Sequence, residues 1–149
     1  MTAEEFESGI ARYIGRHGVL RPYDKVIVAL SGGADSVALL AALTALGYRC
    51  TAAHCDFHLR GEESERDRRH ALQTAQGLGV ECRVEHFDTT AYAREKGISI
   101  EMAARELRYG WFERLRRELD ADSIAVAHHR NDNVETFFLN LLRGTGIAG

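Results

Sequence analysis

Apolar positions along the chain alternate between two rhythms. Short β-branched or apolar runs, "KVIVAL" (25–30), "RCTAAHC" (49–55), "VECRVEHF" (80–87) and "SIAVAH" (123–128), have the length and composition of strands buried on one or both faces. Between them the apolar residues recur at helical spacing. Phe6, Ile10, Tyr13 and Ile14 predict a lead-in helix, and Gly15, Gly18 and Pro22 break that pattern. "SVALLAALTALG" (36–47) predicts a helix stopped by Gly47, and "EESERDRRHALQTAQGLG" (62–79) a second. After a short segment around "AYAREKG", Ser99 is placed to cap a long helix through about Leu119, with Glu101 favourably set in its first turn. "DNVETFFLNLL" (132–142) predicts a last helix, with Gly144 where a C-terminal glycine belongs.

Strands alternating with helices imply right-handed βαβ units. The expected fold is α/β, a doubly wound parallel sheet with helices on both faces. Four candidate strands are fewer than such sheets commonly have, so the segment is expected to be incomplete.

The 149 residues are 45% hydrophobic, enough for one core, and contain no repeat or Pro-rich linker. The apolar runs fall far short of a membrane span, and "MTAEEFESG" has no apolar signal core, so a cytoplasmic protein is expected. Cys50, Cys55 and Cys82 are an odd number without a C-x-x-C pair. Cys50 and Cys55, five apart on one strand, should face opposite ways, as reduced structural thiols. The formal charge of −3 argues against a domain that grips nucleic acid alone, so any such contact is local or is made elsewhere.

Candidate chemistry begins at "ALSGGADSV" (29–37). A strand, a glycine turn and a helix start form the geometry in which backbone N–H groups receive phosphate. It is not a G-x-x-x-x-G-K-[ST] loop, because no lysine follows Gly33, nor a G-x-G-x-x-G fingerprint. An ordinary turn with Asp35 or Ser36 capping the next helix is the plainer alternative.

"SGGADS" resembles S-G-G-x-D-S, the signature of the PP-loop family of ATP pyrophosphatases, whose fold is that of the adenine nucleotide alpha hydrolases. "HCDFHLRGEESERD" (54–67), "SIEMAARELRYGWF" (99–112) and "AHHRNDNVETFFLNLLRGTGIAG" (127–149) resemble the tRNA(Ile)-lysidine synthetases, from about Lys25 onward. Chains of that family continue well past this point. The resemblance therefore implies that residues 1–149 are an N-terminal PP-loop ATP-binding catalytic domain, without the C-terminal part and the tRNA-binding domains. It implies a ligase that adenylates the wobble cytidine of isoleucine tRNA and lets lysine attack it, giving lysidine, AMP and pyrophosphate.

Site residues follow from the same resemblance. ATP would lie on the loop positions Ala29, Ser31, Gly32, Gly33, Ala34, Asp35 and Ser36, with His54 from the second strand. Asp35 would hold Mg²⁺ against the triphosphate, which explains an acid inside a phosphate cradle. Arg108 would meet phosphate, His128 would aid the phosphate chemistry, and Asp132 would receive the lysine ammonium, with Glu135 one turn on. Arg105, Glu135 and Arg143 read equally as surface charges, and Asn131 or Asp132 as a helix cap. The H-H-x-x-D-x-x-E spacing from His128 is also a zinc donor set, although adjacent histidines at a strand end diverge. Implied partners are isoleucine tRNA, held largely outside this segment, and L-lysine; a homodimer is compatible and no membrane is expected. Two other readings stay open: a PP-loop enzyme with another acceptor, such as a tRNA thiolase, for which the C-x-x-C pair is missing, and an ATP-binding module without turnover.

Overall fold

A computed structural model describes residues 2–31, 33–59, 61–129 and 137–143, with 128, 129 and 137–143 as backbone. The elements in chain order are α1 (Ala3–His17), β1 (Lys25–Ala29), α2 (Ala34–Ala45), β2 (Arg49–Asp56), α3 (Glu62–Gly77) and β3 (Cys82–His86). They are followed by α4 (Thr89–Lys96), α5 (Ile100–Leu119), β4 (Ser123–His129) and β5 (Phe137–Arg143).

The strands form one sheet in the order β3-β2-β1-β4-β5. The first four are parallel, as the βαβ rhythm predicts. β5 pairs antiparallel with β4, from Ser123 opposite Arg143 to His129 opposite Phe137. This corrects the helix expected over 132–142. The run Phe137–Leu142 is short and apolar, a pattern that does not distinguish a strand from a buried helix. As a strand it covers the N–H and C=O groups that β4 would otherwise leave at the sheet edge. α3 begins at Glu62, where the helix was expected, and the segment around "AYAREKG", to which no element was assigned, is helix α4.

Alternation along β1 sends side chains to two cores. Val26 and Val28 join Ile10 and Ile14 of α1, Leu39, Leu40 and Leu43 of α2, and Ala71 and Ala75 of α3. Ile27 points the other way, into Phe87, Trp111, Phe112, Leu115 and Ile124 beneath α5. Cys50 borders the first core and Cys55 the second, as their spacing predicts, and all three cysteines are free thiols.

Capping residues define most helix starts. The Thr2, Asp88 and Ser99 side chains accept from the first-turn N–H groups of α1, α4 and α5. α2 and α3 instead start on Gly33 and Gly61, with no side-chain cap. Both follow strand ends on the same edge of the sheet. Among the described residues no helix is long and apolar enough to cross a membrane.

Candidate functional site

The chain runs outward from β1 to β2 and β3, then returns to place β4 on the other side of β1. Strand order therefore reverses at β1, and open α/β sheets bind ligands in the crevice at the carboxyl ends of the strands beside such a switch. The segment 29–36 sits at that crevice. Ser36, 4% exposed, is the knot of the turn. Its Oγ accepts from Ser31 N–H at 3.0 Å and lies 3.1 and 3.0 Å from the carbonyl oxygens of Ser31 and Gly33. Ser31 Oγ joins the knot at 3.2 Å and accepts from Gly33 N–H at 3.3 Å. These bonds hold the turn open in front of α2, whose first N–H groups have no side-chain cap. An uncapped helix start presents donors and the positive end of the helix dipole to an anion.

Ala29, Leu30, Ser31 and Ser36 form one wall of a cavity of about 210 Å³ at this edge. β2 contributes Ala53, His54 and Cys55, α5 contributes Arg108 and Phe112, and β4 contributes Val126 and Ala127. A neighbouring cavity of about 230 Å³ shares Ser31, His54, Cys55 and Phe57 and extends to Asp56, Leu59, Ser64 and Asp67. His54 is buried, and its Nδ1 lies 2.8 Å from the Leu30 carbonyl. A carbonyl only accepts, so Nδ1 carries the proton and Nε2 is left as an acceptor.

Arg108 brings positive charge to the cavity. Its guanidinium lies 5.0 Å from the centre of the Tyr109 ring, and its buried Nε has no hydrogen-bond partner among the described residues. As a lining residue, Arg108 offers an anion in the cavity a charge-assisted partner. Cys55 is unsuited to attack as a thiolate. Burial pushes its thiol up to about 12, and the nearby Arg108 charge only partly offsets this.

The structure thus brings together Ala29, Ser31, Ser36, His54 and Arg108 around one cavity. Gly33 and Ala34 stand at the start of α2. Asp35 lies half-buried in the first turn of α2, outside the residues that line the two cavities. Arg105 is exposed, with its guanidinium 5.1 Å from the same Tyr109 ring. The His128 backbone pairs with Phe138 near the end of β4, and that of Arg143 with Ser123. Gly32, Asn131, Asp132, Glu135 and Gly144 lie outside the described residues. Sequence reasoning missed the apolar walls Phe57 and Phe112, which only tertiary packing brings to the loop. It also missed His86, whose signal was the register that sets it opposite Asp56.

A PP-loop domain model matches residues 3–149. The tRNA(Ile)-lysidine synthase of Bacteroides thetaiotaomicron is 59% identical over 140 residues, which cover 94% of this chain and 33% of that protein. The protein of the same name from Parabacteroides distasonis is 57% identical, over 94% of this chain and 32% of its own length. The chain therefore spans about a third of the length of these relatives. Among solved structures, an NH3-dependent NAD synthetase from Campylobacter jejuni superposes with a TM-score of 0.62 at 16% identity, over 83% of this chain and 56% of the other. NMN synthetase from Francisella tularensis gives 0.62 at 17%, over 83% and 53%. At such identities the superpositions speak for the fold alone. The chain belongs to the PP-loop domain family, and within it is similar to a segment of the tRNA(Ile)-lysidine synthases.

Proposed function

We propose that this chain binds ATP at the switch point of its sheet and supplies the adenylating step of lysidine formation on isoleucine tRNA. In this reaction the wobble cytidine is adenylated with loss of pyrophosphate, and lysine then displaces AMP. The observation that carries the reading is the convergence of an uncapped glycine turn, Arg108 and His54 on one crevice. The names of the relatives support the choice of tRNA and lysine as substrates.

Each group has a part in that chemistry. The turn and the first N–H groups of α2 would receive the pyrophosphate end of ATP. Arg108 would offset charge as it develops on the phosphates. Asp35, a carboxylate in the first turn of the helix that follows the loop, fits Mg²⁺, which takes one or two carboxylates together with phosphate oxygens. When bound, the ion would neutralise phosphate charge beside the acid. His128 is proposed to aid the phosphate chemistry, and Asp132, with Glu135, to hold the lysine ammonium.

The test is pyrophosphate release by the full-length protein containing this domain. Release should require both ATP and isoleucine tRNA, and lysine should be incorporated into the tRNA. Arg108→Gln should lower the rate and weaken ATP binding by about tenfold to a hundredfold, the range for losing a charge-assisted bond. Release independent of tRNA, or an acceptor other than lysine, would overturn the proposal.

A further inference from the structure

Where β2 and β3 end, Asp56 and His86 are register partners, and His58 folds back over both. The Asp56 side chain is 4% exposed, whereas those of His58 and His86 are 55% and 52% exposed. One carboxylate oxygen of Asp56 accepts from the His58 backbone N–H at 3.1 Å. The other lies 3.0 Å from His86 Nδ1 and 3.5 Å from His58 Nε2. The fold-back depends on a left-handed backbone at His58, φ +54°, an uncommon conformation for a residue with a side chain. It brings the two imidazole rings to 5.3 Å between centres.

The protons in this cluster leave room for a cation. His58 Nδ1 lies 3.0 Å from the Phe87 carbonyl, so it carries the hydrogen, and in the neutral ring Nε2 presents a lone pair to the Asp56 carboxylate. Two acceptors facing each other require something positive between them. A histidine whose second nitrogen donates to a backbone carbonyl is also the usual setting of a metal-bound imidazole, because that bond fixes the tautomer and the ring.

We infer that Asp56, His58 and His86 form a three-ligand site for a divalent transition ion of the Zn²⁺ class. Tetrahedral zinc with bonds of about 2.0–2.1 Å sets neighbouring ligand atoms roughly 3.3 Å apart. The 3.0 and 3.5 Å separations from the Asp56 oxygen bracket that value, and one donor atom from each residue lies within 4.8 Å of the others. Two imidazoles with one carboxylate favour zinc, cobalt, nickel or copper over magnesium or calcium, so the site is chemically separate from a Mg²⁺ at Asp35. It also stands independently of the proposed ATP reaction. Bound metal would tie the segment after β2 to the end of β3 at the rim of the cavity that Asp56 shares with Ser31 and His54. The half-exposed imidazoles leave a fourth position open to water or to another oxygen donor.

Calorimetric titration of the full-length protein with Zn²⁺ alone tests this, with Co²⁺ as a spectroscopic reporter of coordination geometry. The expected result is one saturable Zn²⁺ per chain at this site, held in the presence of excess Mg²⁺. His58→Ala and His86→Ala should each weaken binding at least tenfold, and His70→Ala, an exposed histidine on α3, should not. His86→Gln keeps a donor for Asp56 while removing the imidazole, so it should stay folded by circular dichroism and still lose Zn²⁺. The absence of saturable Zn²⁺ binding, or binding that survives both His58→Ala and His86→Gln, would overturn the site and leave a hydrogen-bonded cluster only.

Discussion

Gly33 separates folding from function most cleanly. Its backbone, φ −89° and ψ 154°, is extended and open to any residue, and an added Cβ would meet Ser31 Oγ at 3.5 Å, an ordinary contact. Among the described residues neither conformation nor packing demands a glycine there, and under the proposed function the reason for it is a phosphate approaching the backbone. Gly33→Ala should change stability by no more than about 1 kcal/mol, the range for an N-cap position. ATP affinity should fall about tenfold, equivalent to roughly 1.4 kcal/mol. Thermal melts and calorimetry on the same preparation would compare the two, and unchanged ATP affinity would remove the phosphate from this part of the turn. Ser36 shows the opposite case. Its hydroxyl is committed to the Ser31 and Gly33 carbonyl oxygens, so its contribution in this geometry is to fix the loop.

Helix α5 holds Arg108 at the cavity, and it is anchored at both ends. Ser99 caps its start by accepting from Met102 N–H at 3.1 Å. Near its end Glu113 accepts from Arg116 at 2.8 and 3.0 Å and from Arg117 at 3.0 Å, while Arg116 also donates to the Ala121 carbonyl. The hydrogen bond from Arg116 is the main cause that holds the Glu113 carboxyl below its ordinary range. A depressed folded value means the stabilisation is present above the ordinary carboxyl range and is lost as pH falls through the folded value. Glu113→Gln should therefore cost about 1 kcal/mol near neutral pH, with the difference from wild type vanishing in acid. Denaturant melts across pH would show it, and a pH-independent difference would mean that packing alone is at work. The Ser99 cap and the end of α5 near Leu119 were legible because they rest on local signals. The strand at 137–143 was not, because its short apolar run suits either element. The cavity shows the same division: the glycine turn is a local motif, whereas Phe57 and Phe112 reach it only through packing across the sheet.

At the scale of the whole molecule, charge and length bear on the same question. A net charge of −3 gives little general attraction for a polyanion, and the chain spans about a third of its relatives. Affinity for tRNA rests on neutralising phosphates with basic groups, so under the proposed function most of the grip would come from outside this segment. The proposed function places the lysine contact in this segment, at Asp132. An ammonium group has three donors and a full charge, and a partly desolvated pocket for it calls for a carboxylate. In the full-length protein, Asp132→Asn should leave ATP affinity nearly unchanged and raise the lysine concentration for half-maximal turnover roughly thirtyfold, the equivalent of about 2 kcal/mol for one charge-assisted contact. Steady-state kinetics with lysine varied at saturating ATP and tRNA, alongside ATP calorimetry, would separate the two effects. If ATP binding were lost and the lysine dependence kept, Asp132 would be acting on the nucleotide or its metal. The division of labour between Asp35 and Asp132 would then have to be reversed.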